Sequence, residues 1–328
     1  MDKTRIIFIG TASFGLPAFT ALIKTRIIFI GTASFGLPAF TALIKDSELE
    51  IVLVITGPDK PAGRKQIMAA SPIKIAAVKN NLTVLQPEHI GDIREKISLL
   101  KPDLIIVAAY AQLIPEAILN LPKHGCLNLH ASLLPKYRGS AIIQAAILNH
   151  DEQTGLTVIK MDRGLDTGPI LAQTAVDIGA EDTAGTLYEK LAETGADFLL
   201  DTIKKYLAGK LTPQAQNSAR SSYAKELTKA DGLIDWSKPA EFIERFIRAM
   251  NPWPMAWTWQ NGQQVKIIST QSEPLEINSY KPGKTFKYNS GLAVQCGHDG
   301  LIITSLQLEG KNPLKSEEFL RGHKDFIG

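Results

Sequence analysis

Through most of its length the chain alternates between short apolar runs and stretches whose apolar positions recur at helical spacing. The runs predict strands and the stretches predict helices. Ile27–Gly31 and Ile51–Thr56 read as strands, followed by a loop over Gly57–Ala70. Pro72–Lys79 reads as a helix, with Ser71 as N-cap and Pro72 in the first turn. Thr83–Gln86 is a short strand, and Ile93–Leu100 a helix stopped before Lys101-Pro102. Asp103–Tyr110 is an apolar strand of the kind buried on both faces. Pro115–Leu119 (helix), Cys126–His130 (strand), Ala141–Asn149 (helix) and the strands Leu156–Asp162 and Ile170–Val176 continue the rhythm into a long amphipathic helix, Thr186–Ala208. Such alternation predicts an α/β fold with a Rossmann-like, doubly wound parallel sheet.

The rhythm changes after residue 208. Gly209–Ser222 is polar and reads as a linker. Pro239–Met250 carries Phe242, Ile243, Phe246, Ile247 and Met250 on one helical stripe. Short strands around Trp257–Trp259, Val265–Ser269, Gly291–Gln295 and Leu301–Leu308, set off by Gly, Pro and Asn turns, predict a small β-barrel. The expected division is a first domain over 25–208, the linker 209–222 and a second domain over 223–328.

Residues 1–24 stand apart, because Thr4–Lys24 is repeated without change as Thr25–Lys45. A sheet has one slot for a first strand. The second copy leads straight into Ile51–Thr56, so Ile27–Gly31 is expected to fill that slot. The first copy is expected to be an added edge strand and helix, or disordered. Each copy has an uncharged run near the length of a short membrane span, but Gly-Thr-Ala-Ser-Phe-Gly and Leu-Pro break it into strand, turn and helix start. No membrane role is expected.

Composition narrows the partners. At 328 residues and net charge +3, the chain can build two cores but is no general polyanion binder; nucleic acid would have to meet local basic patches. The two cysteines, Cys126 and Cys296, form no CxxC or Cys/His pair, which predicts a reduced, cytoplasmic protein without a metal site. No coiled-coil pattern is present, so a monomer is expected. Gly31-Thr32-Ala33-Ser34-Phe35-Gly36 has P-loop-like glycines, but Leu37-Pro38 follows where Lys and Ser/Thr would be needed, and a nucleotide site is not expected.

The chemistry concentrates in Gly125–Leu171. On a strand Cys126–His130, Asn128 and His130 share one face. They lie toward the carboxyl end, where open α/β sheets keep their sites. Among six histidines, His130 alone stands two residues from an Asn at a strand end. An amide there can hold an oxyanion and an imidazole can move a proton. Asp166, in Gly164-Leu165-Asp166-Thr167-Gly168, can orient the imidazole. The set suits acyl transfer to an amine.

Asn128, His130, Ser132-Leu133-Leu134-Pro135, Arg138-Gly139 and Gly164–Gly168 together resemble the formyltransferases that use 10-formyltetrahydrofolate. Pro61-Ala62-Gly63-Arg64 and Asn251-Pro252-Trp253-Pro254-Met255 resemble the branch acting on initiator methionyl-tRNA. The chain departs from the family pattern at Ala111 and Ser34, where a Gly and an acid are more usual. The resemblance implies an OB-like, tRNA-binding second domain, and attack of the methionyl α-amine on the formyl carbon. Asn128 would stabilise the oxyanion, and His130 would stabilise charge or move protons. Asp166 would fix His130 and assist loss of the amine proton, with the proton's acceptor left open. It further implies folate contacts at Ser132, Leu133, Leu134 and Pro135, and a pterin pocket lined by Tyr110, Leu113 and Ile114. It places tRNA contacts at Arg64 and Lys65, while the acid-free run Lys281, Lys284, Lys287 is a second candidate for the tRNA backbone. The three tryptophans of Asn251–Trp259 are expected in the barrel core and domain junction. A small-amine formyltransferase and an inactive tRNA- or folate-binding protein are the alternatives.

Overall fold

The computed structural model describes residues 24–63, 66–323 and 326–327. The first copy of the repeat up to Ile23, with Arg64 and Lys65, lies outside the described residues. The described residues form two compact units: the first holds those up to His130 with Val158–Ala172 and Ala192–Ala215, and the second holds Ala131–Thr157, Gln173–Leu191 and the described residues from Gln216 onward.

The strands run in chain order as β1 (Thr25–Gly31), β2 (Leu49–Ile55), the short β3 (Lys60–Ala62) and β4 (Ile67–Ala69), β5 (Val84–Leu85), β6 (Leu104–Ala108) and β7 (Cys126–His130). β8 (Arg138–Gly139) is in the second unit, and β9 (Gln153–Lys160) and β10 (Ile170–Asp177) pass from one unit to the other. The main sheet has the order β10-β9-β7-β6-β1-β2-β5. β1 lies parallel between β2 and β6. It is therefore paired along both edges, and Ile27, Ile28, Phe29 and Ile30, pointing alternately to the two faces, are all fully buried, as in a sheet covered on both sides. The second copy of the repeat thus fills the first-strand slot. The helix Leu37–Lys45 follows, and Phe40 packs 4.7 Å from the Phe29 ring centroid.

The helix Pro72–Lys79 begins as expected: the Ser71 hydroxyl accepts from Lys74 N at 3.0 Å. Two expectations need correction here. Residues 57–70 are not plain loop, since β3 and β4 pair as an antiparallel ribbon, with Gly63 at φ +68 in its turn. The helix expected over Ile93–Leu100 is a 3-10 turn, Ile90–Ile93, then Arg94–Leu99. Its N-terminal turn is drawn tight because Ile90 and Ile93 both point into the core beneath β6.

The segment read as a polar linker is pinned at two points: Gln214 bridges to Ile170, and Ser222 O accepts from Arg138 N. Just beyond it β11 (Tyr223–Ala224) pairs with β8. Beyond it the helix Ala240–Met250 buries Ile243, Ile247 and Met250. The antiparallel sheet of the second unit contains β12 (Ala256–Gln260), β13 (Gln263–Thr270), β14 (Thr285–Tyr288), β15 (Gly291–Gln295) and β16 (Gly300–Leu308), in the order β12-β13-β16-β15-β14. β17 (Leu314–Lys315) adds beside β16, and a helix Ser316–Gly322 follows. β14, β17 and that helix were not expected, being short and rich in polar residues. The tryptophans are not a core: Trp253 and Trp259 are about half exposed, and Trp257 donates its indole N–H to Lys229 O at 2.9 Å.

Candidate active site

The parallel register levels the carboxyl ends of three strands. Gly31 pairs with Ala108, and Ala108 with Leu129. Backbone N–H groups of Thr32 and Ala33 donate to Ala109 O, which ties the loop after β1 to the loop after β6. Gly31 is needed for this approach, since a Cβ there would lie 2.7 Å from Ala108 O.

β7 occupies Cys126–His130, the span read from the pattern. Asn128 is half-buried and His130 is buried. No hydrogen bond among the described residues uses the Asn128 carboxamide, so its donors are unspent. His130 Nδ1 stands 3.6 Å from Asp166 Oδ1, with side-chain exposures of 6% and 12%. That places the carboxylate on the Nδ1 edge of the imidazole, where it can set the orientation of the ring. Catalytic contacts are often long without substrate and tighten on binding.

Asp166 is delivered by a tightly built loop. It adopts φ +54, a left-handed conformation that Asp tolerates better than most residues. Asp162 Oδ1 accepts from Gly164 N at 3.0 Å and from the Thr167 hydroxyl at 2.6 Å, closing the loop's base. At Gly168 a Cβ would fall 2.0 Å from Lys160 O, so the glycine permits the chain to turn back against β9. The glycines bracketing Asp166 are thus steric requirements of this turn.

The turn after His130 is held from within. The Ser132 hydroxyl, fully buried, donates to Lys136 O and Tyr137 O at 2.8 and 3.1 Å. The Thr157 hydroxyl donates to Ser132 O at 2.6 Å and accepts from Leu134 N at 3.1 Å. Gln173 Nε2 donates to Leu134 O at 2.9 Å. Ser132 and Leu134 are therefore buried supports as side chains, and Leu133 and Pro135, half-buried, are the more open pair. Thr157 and Gln173 carry no motif signal; Thr157 lies on the inward face of its strand, whereas Gln173 is exposed and nothing in the sequence points to it.

The expected pterin-lining residues divide. Leu113 is 71% exposed, whereas Ile114 is 6% exposed and packed in the core cluster with Ile90 and Ile118. The loop is anchored through Ile114 and through Gln112, which accepts from Ile90 N and donates to Glu88 O. Tyr110 packs on the same cluster, and its buried hydroxyl has no partner among the described residues. Burial pushes that phenol above its ordinary range. An orphaned hydroxyl beside the sheet's carboxyl edge is a polar atom suited to a heteroatom-rich ring.

The thiol of Cys126, the first residue of β7, is pushed up to about 12 by burial. Lys281, Lys284 and Lys287 are exposed. The aromatics between them are no free stacking platform, because Phe286 is buried and stacked 4.8 Å from Tyr280.

Two family models match the chain. "Formyl transferase" covers residues 25–203, and "Formyl transferase, C-terminal domain" covers 226–324. The chain belongs to the formyl transferase family. Among its relatives, the methionyl-tRNA formyltransferase of Pseudoalteromonas translucida is 44% identical, covering 98% of this chain and 95% of that protein. The methionyl-tRNA formyltransferase of Bacillus licheniformis is 42% identical, covering 97% and 95%. Of solved structures, an N-formyltransferase from Helicobacter canadensis in complex with folinic acid and dTDP-3-aminofucose superposes with a TM-score of 0.64 at 20% identity, over 86% of this chain and 99% of that one. HypX from Aquifex aeolicus in complex with tetrahydrofolic acid gives 0.59 at 16%, over 92% and 47%. These likenesses show the shared formyl transferase fold. Among the described residues no helix is long and apolar enough to cross a membrane.

Proposed function

We propose that the chain transfers the formyl group of 10-formyltetrahydrofolate to the α-amine of initiator methionyl-tRNA, as a cytoplasmic monomer serving translation initiation. The observation that carries the substrate is the near full-length identity to methionyl-tRNA formyltransferases, spanning both matched regions. Nothing specific favours a small-amine acceptor or an inactive binding protein.

The chemistry follows from the residues. A C–N bond forms between the acceptor amine and the formyl carbon, and the bond from that carbon to N10 of the folate breaks. Asn128 donates to the formyl oxygen as it gains charge. His130, oriented by Asp166, stabilises that charge or moves the proton between the amine and the departing nitrogen. Leu133 and Pro135, the backbone of Ser132 and Leu134, and Tyr110 and Leu113 are the proposed folate contacts, with Ile114 as their support. 10-Formyltetrahydrofolate supplies the activated one-carbon unit, and no metal is invoked.

Arg64, Lys65, Lys281, Lys284 and Lys287 are the proposed tRNA contacts. Changing the three lysines of the second unit to Gln should weaken tRNA binding at low salt. It should also flatten the dependence of log K on log [salt] by up to about one for each phosphate that is no longer neutralised. Filter binding across a salt series reads this directly, and an unchanged slope removes the lysines from the interface.

The function itself is tested by formyl transfer from 10-formyltetrahydrofolate to charged initiator tRNA, beside a chain lacking Thr4–Lys24. Transfer is expected in the shortened chain, whose β1 slot is complete. Folded protein inactive on this acceptor but active on a small amine would overturn the assignment.

A further inference from the structure

Arg138 presents an unusual combination. It is 2% exposed, yet among the described residues no carboxylate pairs with it. Its guanidinium donates only to neutral groups. Nε and Nη2 reach Gln216 Oε1 at 3.2 and 2.7 Å, Nη1 reaches the Tyr223 hydroxyl at 3.2 Å, and Nη2 lies 3.5 Å from the Ser218 hydroxyl. Burying a cation without a counter-charge is expensive, and an apolar residue would fill the space at lower cost. The guanidinium is retained here where its fork of donors has a geometric use.

That use is visible in what it holds. None of residues 216–224 is buried, so this segment has no apolar anchor of its own. It lies between the two regions matched by the family models. It is fastened instead to the turn after the catalytic strand. Tyr137 N donates to the Ser222 hydroxyl, Arg138 N to Ser222 O and Ser140 N to Ala224 O. Gly139, at φ +102, admits the contact, since a Cβ there would fall 2.5 Å from Ala224 O. The same turn is closed by Ser132, whose hydroxyl bonds Tyr137 O. The strap, Arg138, Tyr137 and Ser132 thus form one connected set leading to Leu133 and Pro135.

We propose that Arg138 is a positioning residue for the transfer reaction: through Gln216 and Tyr223 it clamps the strap 216–224 onto the turn and so holds Ser132–Pro135 in the shape that receives the folate. The inference rests on reading that turn as a folate contact. It predicts an effect on co-substrate binding rather than on the bond-making step.

The test uses the full chain and the variants Arg138→Met, Arg138→Lys and Gln216→Ala. Steady-state transfer is measured against 10-formyltetrahydrofolate, binding of 5-formyltetrahydrofolate by calorimetry, and folding by thermal unfolding. Arg138→Met should raise both KM and Kd for the folate about tenfold, the scale of a missing charge-assisted anchor, with saturated kcat within about twofold. Arg138→Lys should resemble it, because an ammonium cannot bridge Gln216 and Tyr223 as a planar fork does. Gln216→Ala, at a partly exposed position, should shift KM in the same direction with the fold intact. The inference is overturned if KM and Kd stay unchanged while the loss falls in kcat or in the folded fraction. It is equally overturned if Lys restores wild-type KM. A wild type that does not bind 5-formyltetrahydrofolate overturns the folate reading and this inference together. A wild type that binds it, beside an Arg138→Met that binds equally well, overturns the inference alone.

Discussion

Asn128→Ala should lower kcat by about 100- to 1,000-fold while the chain keeps its fold and its folate affinity, the range seen when one oxyanion donor is removed. The size follows from what the carboxamide does. It is half-buried at the carboxyl end of β7, and its donors are not used to hold other protein groups. Removing it leaves no buried partner unpaired, so the stability cost is small. What disappears is a hydrogen bond that strengthens as charge gathers on the formyl oxygen, and such bonds act on kcat rather than on ground-state binding. Asn128→Asp sharpens the test. It keeps the shape, replaces the donor with an anion facing the developing charge, and should be at least as slow as Ala. Full turnover in a folded Asn128→Ala would remove the oxyanion role.

His130→Ala should lower kcat by about 100- to 10,000-fold, the usual worth of positioned acid–base help. Asp166→Asn should recover only part of wild-type activity, because it keeps the loop's shape while removing the charge that faces His130 Nδ1 at 3.6 Å. The two act as one device, so the double variant should be little slower than His130→Ala alone. Additive losses in a kinetic double-mutant cycle would mean that Asp166 works independently of the imidazole.

Much of this could be read from local pattern. Cys126–His130 was legible because an apolar run ending at a turn has few other solutions, and period-2 geometry then placed Asn128 and His130 on one face. Ser71 before Pro72 announced a helix start that the hydroxyl bond to Lys74 N realises. The occupant of the first-strand slot was legible because the second copy of the repeat leads directly into β2. In each case the deciding interactions lie within a few residues.

Where local pattern failed, the decision was made by distant groups. Leu113 and Ile114 are adjacent and similarly apolar, yet one faces outward and the other joins the core, because Ile90 and Ile118 pack against only one of them. The tryptophans expected in a core stand at the surface or donate to a loop carbonyl, since the core of that sheet is filled by Val265, Ile267, Leu292 and Leu306. Ser132 stood out by its motif, but the motif gave no sign that its hydroxyl is consumed by its own turn.

The amino-acid sequence sufficed for the α/β rhythm, the strand Cys126–His130 and the helix start at Ser71, because strand period, capping and turn chemistry are short-range. The approach of Asp166 to His130 and the burial of Arg138 under a strap from far along the chain were set by the fold. They depend on loop closure and on the desolvation of particular side chains, quantities that exist only once the chain is packed.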